Sequence, residues 1–437
     1  MKPSAPALVF AVGALTGVSM ATTSPFYSQI HSCPQSCTSV GLSSSNWTSY
    51  HSFDRLERCS ETVLFDFNVF NQWETQTSIR ACTVERTRNS SRELSSCTAA
   101  KGVPATLQLV SWSTSTATET ASSILEALEA LENQVASERV CGRSSGLIHF
   151  ATHGKIVIGL YMGSLIDSTV AVSVLSAQVL RQLQDSNFHD TVAAQVCGTI
   201  YDNAHTLGLI VSTAGDYEQV QLAVQGWANA TCLSDYDHAT SANITISELP
   251  VPVATDKSSD QNFNRRDDTC SYVFVVSGDS CATLASKCDI TAAELSAYNP
   301  SSTLCSSLAI GEIICCSEGS QPDLSPQPTA DGLCYSYTVK SGDYCYLLAS
   351  EYYITTDEIE EYNTQTWGWM GCNNLQLGSV ICLSSGDPPM PAVISNAECG
   401  PQVNGSTRPS DWSNISSLNP CPLNACVRYA YIRGYAN

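Results

Sequence analysis

Residues 270–299 read CSYVFVVSGDSCATLASKCDITAAELSAYN, and residues 334–363 read CYSYTVKSGDYCYLLASEYYITTDEIEEYN. An offset of 64 superposes Cys270 on Cys334, Cys281 on Cys345, Leu284 on Leu348, Ala285 on Ala349, Ile290 on Ile354, Thr291 on Thr355, Glu294 on Glu358, Tyr298 on Tyr362 and Asn299 on Asn363, with no gap. Three extra residues in the second copy then move the offset to 67, bringing Cys305 onto Cys372, Gly311 onto Gly378 and Cys315 onto Cys382. Self-similarity of this kind marks a tandem repeat of one small structural unit. In each copy a β-rich run (YVFVV or YSYTV) precedes SGD(S/Y)C, where Asp279 or Ser280, and Asp343, can cap the helix that follows. TAAE and TTDE have the form of capping boxes opening a second helix, and EIICC and SVICL close the unit as a strand, which predicts β-α-α-β.

The order of strand, SGD(S/Y)C, helix, (A/E)YN, then LAIGEIIC or LQLGSVIC resembles the LysM module, with cysteines placed as in LysM modules of fungal secreted proteins. The resemblance covers 270–316 and 334–383. It implies binding of chitin or related N-acetylglucosamine oligomers in a shallow groove between the loop after strand one and the loop after helix two. Carried onto this chain, those loops are Gly278, Asp279, Ser280 and Cys281 with Asn299, Pro300, Ser301 and Ser302. In the second copy they are Gly342, Asp343, Tyr344 and Cys345 with Asn363, Thr364 and Gln365. Glycine admits close backbone approach, and free N–H and C=O groups suit acetamide and hydroxyl partners, although Gly-Asp also simply turns the chain. Tyr344 departs from the Ser or Thr usual at this position in the family. Trp367 and Trp369 in its second loop either stack on a sugar face or pack beneath the loop.

A GDS tripeptide suggests a serine hydrolase, but the repeat replaces Ser280 by Tyr344, and no His follows in the LysM region to act as base. Ser280 is therefore expected to be a loop residue. Glycosidase chemistry needs a positioned carboxylate pair, and the D-x-x-D-x-D-x-E run of family 18 chitinases does not occur. DEIEE (357–361) is expected to be a solvated helix face, and DYDH (235–238) lacks the following Glu. His149 and His153 lie in a strand-like context, where side chains four apart share a face at about 13 Å, too far for one metal. Neither catalytic residues, nor a metal, nor a cofactor is expected.

The remaining chain sets the context. Its 437 residues exceed what one core usually serves. Residues 1–21 carry Lys2, an apolar stretch and small residues before Thr22, the pattern of a cleaved secretory signal. Twenty-one cysteines in an exported chain indicate an oxidising compartment and a disulfide framework. Sequons at Asn46, Asn89, Asn229, Asn243, Asn404 and Asn414 fit surface glycosylation. A formal charge of −21 argues against nucleic acid or other polyanions as partners, and no segment suggests membrane insertion.

Apolar runs ATLQLVSW, KIVIGLYMG and HTLGLIVS alternate with helical patterns at 124–135, 170–183 and 217–230, predicting an α/β or α+β domain over 22–250 whose eight cysteines can pair internally. The overall class is α+β, with linkers at 251–269 and 317–333 around the first module. The second linker is expected to behave as a flexible coil. Residues 384–437 resemble the segment leading into a chitin-binding module in large fungal LysM-containing chitinases related to killer-toxin α-subunits. The expected function is a secreted or wall-associated, non-catalytic chitin binder; the alternative is the non-catalytic front of a chitinase. Arg265 and Arg266 form a dibasic site for secretory-pathway cleavage, and the odd cysteine is expected among Cys399, Cys421 and Cys426.

Overall fold

The computed structural model describes residues 33–249 and 269–420 except 42, 72–76, 85–100, 113–120, 138–144, 186–190, 198–201, 276–278, 302–303, 307 and 309–311. The expected leader, Asn89, Arg265, Arg266, Gly278, Ser302, Cys421 and Cys426 lie outside the described residues.

The N-terminal domain is built on one sheet. Its described strands are β1 (Thr48–Tyr50), β2 (Thr62–Asp66), β3 (Ile79–Val84), β4 (Lys101–Trp112), β5 (Leu147–His153), β6 (Ile156–Met162), β7 (Thr191–Val196), β8 (Leu207–Ser212) and β9 (His238–Glu248). They run in the order β1-β3-β2-β5-β6-β8-β7-β4-β9, each pair antiparallel, which makes the domain α+β. The central strands are buried on both faces, and the period-two alternation divides their side chains between two cores. On β6, Ile156, Ile158, Leu160 and Met162 join helices α1 (Ala121–Ser137) and α2 (Ser168–Asp185) on one face. Val157 and Tyr161 join helix α3 (Tyr217–Ala228) and Phe65, Phe67 and Phe150 on the other. The three helices match the sequence expectation to within a few residues at each end.

Close packing under α3 depends on glycine. A Cβ at Gly208 would stand 2.3 Å from the ring of Trp227, which is fully buried and donates its indole N–H to Gln195 Oε1 at 2.8 Å. Disulfides Cys33–Cys59 and Cys37–Cys82 tie the N-terminal approach to the sheet, and Cys197–Cys232 ties the end of β7 to the segment after α3.

Two segments differ from expectation. Residues 317–333 are not a free coil: Cys270 N–H donates to Ser320 O, Thr329 N–H to Leu333 O, and Asp323 Oδ1 accepts from the N–H and hydroxyl of Ser325. Three prolines leave this stretch little entropy to lose on ordering. The C-terminal segment folds back along the sheet, where the Asn396 amide both donates to Ser49 O and accepts from Ser49 N–H, pairing the open edge of β1 as a neighbouring strand would. Cys399 is disulfide-bonded and so is not the odd thiol. The sequon residues Asn46, Asn229, Asn243, Asn404 and Asn414 are all exposed.

Gly208→Ala should destabilise the N-terminal domain by about 1–3 kcal/mol, because a methyl group has no room beside Trp227. Denaturant unfolding followed by Trp fluorescence measures it; an unchanged midpoint would contradict the packing.

Candidate carbohydrate-binding loops

Each repeat folds as predicted. The first pairs β10 (Tyr272–Phe274) with β11 (Ile313–Cys315) around helices α4 (Cys281–Lys287) and α5 (Ala292–Tyr298). The second pairs β12 (Ser336–Thr338) with β13 (Val380–Cys382) around α6 (Cys345–Glu351) and α7 (Thr356–Tyr362). Their cores are small and equivalent: Val275, Leu284, Ala285, Leu295 and Ile314 correspond to Val339, Leu348, Ala349, Ile359 and Ile381. Cores of this size gain from cross-links, each contributing about 2–4 kcal/mol. The ten cysteines from Cys270 to Cys382 form five bridges: Cys270–Cys315, Cys281–Cys305, Cys288–Cys316, Cys334–Cys382 and Cys345–Cys372. Where the first module has Cys288 and Cys316, the second has Tyr352 and Leu383; Leu383 is fully buried, and Tyr352 packs against Tyr335 and Tyr337.

Both expected capping boxes form. Thr291 accepts from Glu294 N–H while Glu294 Oε2 accepts from Thr291 N–H at 2.8 Å, and Thr355 and Glu358 do the same. Ser280 caps α4 together with Thr283, as a loop residue should. Asp343 does not cap α6: the N-cap is Tyr344, and Asp343 Oδ2 accepts from Lys340 N–H at 2.7 Å and the Tyr337 hydroxyl at 2.9 Å. Burial raises the Asp343 pKa above the usual carboxylate value, against those two hydrogen bonds. Asp279 turns inward likewise, with its side chain 6 % exposed and paired to Lys287 at 2.7 Å.

Asn299 and Asn363, expected in the sugar-facing loops, are buried in both modules. The Asn299 amide donates to Leu295 O and Cys315 O at 2.9 and 2.8 Å, and its oxygen accepts from Cys315 N–H at 2.8 Å. Asn363 repeats this with Ile359 and Cys382. These amides fasten the helix end to the closing strand, and they shape the loop that follows rather than presenting a polar group to it. Among the described loop residues of the first module, Ser280, Pro300 and Ser301 are exposed, as is Cys305 of the Cys281–Cys305 bridge.

The second module's loops face protein. From the N-terminal domain, Asn68 Nδ2 donates to Asp343 O at 2.9 Å and Leu375 O at 2.7 Å, and Val69 N–H donates to Ser341 O at 2.9 Å. The rings of Phe70 and Tyr344 lie 4.6 Å apart, Ser78 N–H donates to Gln376 Oε1, and Gly342 lies against Ile148. At this contact remains an open cavity of about 580 Å³, lined by Asn71 and Asn229 of the N-terminal domain and by Asp343, Tyr344, Cys345 and Tyr346 of the module. Thr364 and Gln365 are exposed, and the Trp412 indole donates to Gln365 O. Trp369 is half-buried, its indole donating to Glu360 Oε2 at 3.0 Å, and Trp367 is likewise half-buried. Glu360, expected on a solvated face, instead holds this loop, since its other oxygen accepts from Cys372 N–H at 2.7 Å.

Asn363→Ala should cost about 1–3 kcal/mol by leaving Ile359 O and the Cys382 backbone without their buried partner. Asp343→Asn, which keeps an acceptor and removes the buried charge, should cost less than Asp343→Ala. Thermal unfolding of the full chain ranks the three; a neutral Asn363→Ala would contradict the fastening role.

Family models match the same regions: the LysM domain over residues 274–316 and 337–384, and "LysM11, N-terminal domain" over residues 112–233. The chain is 37% identical over 413 residues to the non-secreted LysM effector LysM17 of Penicillium expansum, covering 90% of this chain and 53% of that protein. It is 32% identical over 425 residues to the secreted chitinase LysM12 of the same organism, covering 90% of this chain and 28% of that one. To the killer toxin subunits alpha/beta of Kluyveromyces lactis it is 32% identical over 230 residues, covering 52% of this chain and 18% of that protein. The chain thus spans between about a fifth and about half of the length of these relatives. The chain carries two LysM domains behind a LysM11-type N-terminal domain, and it is similar to parts of LysM chitinases, LysM effectors and a killer toxin subunit.

Proposed function

We propose that the protein is a secreted, glycosylated, non-catalytic binder of chitin or N-acetylglucosamine oligomers, and that the first module is its working site. The observation that carries this is the exposure of Ser280, Pro300 and Ser301 among the described residues of that module's loops. The Cys281–Cys305 bridge lies next to Ser280 in sequence, on a fold matched by the LysM domain model. Backbone amides and carbonyls beside small side chains give a sugar donors, acceptors and close approach. Gly278 and Ser302 complete this loop pair in the proposal. The net charge of −21 leaves a neutral polysaccharide as a better partner than a polyanion.

The full chain should be retained on chitin and not on cellulose. Ser301→Arg, which sets a long side chain over the loop pair without touching the core, should weaken binding to chitin oligomers at least tenfold, about 1.4 kcal/mol. Unchanged binding by the folded variant would count against the first module as the site.

A second reading, a binding part of a chitin hydrolase, is favoured by the relatives named as chitinases, of which this chain covers 28%. The chain itself is then expected to release no reducing ends from chitin oligomers. A longer transcript carrying D-x-x-D-x-D-x-E would make it the binding part of such an enzyme.

A further inference from the structure

The segment from Phe67 to Asn71 leaves β2 and runs across both loops of the second module. It is held in advance from behind: the buried Gln221 of α3 donates to Val69 O at 2.8 Å and Asn71 O at 2.6 Å. Asn68 is fully buried; its oxygen accepts from Phe70 N–H at 2.9 Å, which fixes its amide with both donors pointing at the module. Those donors meet one carbonyl from each loop, Asp343 O and Leu375 O. Two carbonyls converging from facing loops are what an acetamide N–H and a sugar hydroxyl would use.

We propose that the second module's groove is a docking site for the protein's own N-terminal domain, in which Asn68 stands where a ligand acetamide would bind. The proposal rests on the sugar-binding role proposed above for these loops. While docked, the Asp343 and Leu375 carbonyls are taken by Asn68 and are not free for chitin, and Tyr344 is a docking residue, its ring meeting Phe70. At the corresponding position the first module has Ser280, exposed and capping its helix. One repeat is thus spent on fixing the module against the sheet domain, and the other is left open. A long polymer meets a single open site, and a second appears only when the 67–71 segment is displaced.

Asn68→Asp tests this, because a carboxylate facing two carbonyls repels them and supplies neither donor. Phe70→Ala loosens the same contact without placing a charge in it and serves if the first variant does not fold. Calorimetric titration of each full chain with chitin hexamer counts sites, and amide exchange at Val69 reports docking. Wild type should show one site with Val69 protected; the variants should show Val69 exposed and twice the number of sites. Two sites in wild type, or one site in a folded variant with Val69 exposed, would overturn the proposal. Absence of any binding in all proteins, with Val69 exposed only in the variants, would overturn the sugar role of these loops and with it the competition proposed here.

Discussion

The side-chain amide of Asn68 sits between two loops of a module that begins more than 260 residues later in the chain, and the arrangement of the molecule follows from it. A buried amide must satisfy both N–H groups and its oxygen, and here all three are met: by Asp343 O, Leu375 O and Phe70 N–H. Withdrawing it would leave the two carbonyls and the amide unpaired in the interface, so the contact is expensive to break by halves. The same interface engages Val69, Phe70 and Ser78, while Asn396 pairs the free edge of the sheet next to it. The N-terminal domain, second module and C-terminal segment are held together by backbone-directed hydrogen bonds, which demand register and so fix orientation. Phe274 of the first module meets Tyr353 of the second at 6.1 Å between ring centroids.

Duplication supplies the scaffold twice and leaves the surface to diverge. The equivalent core positions, the capping boxes, the Asn299 and Asn363 fasteners and two bridges per module are kept. What differs lies at the rim. Ser280 caps its helix where Tyr344 makes an aromatic contact, and the Cys288–Cys316 bridge of the first module stands where the second has Tyr352 and Leu383.

Local and periodic features could be read from the sequence. The repeat, its β-α-α-β order, both capping boxes and the three helices of the N-terminal domain depend on residues close in sequence. Long-range features could not. Strand β9 is polar and mostly exposed, an edge strand that owes its place to β4, and β1 has only three residues. Asn299 and Asn363 follow helices as loop residues do, yet their partners at Cys315 and Cys382 lie 16 and 19 positions away. Their identity across both copies was the available sign of a role in the fold. Tyr344 was visible as a departure, but Phe70, the ring it meets, belongs to another domain. Glu360 reads as one acid among several until the loop that it anchors folds back to it.

On the proposal above, two like modules divide the work, one open and one docked. Co-crystallisation of the full chain with a short chitin oligomer tests it most directly. Sugar is expected against Ser280 and Ser301 of the first module, with the Asn68 amide still between Asp343 O and Leu375 O. Sugar lying between the loops of the second module, with Asn68 displaced and the first module empty, would contradict it.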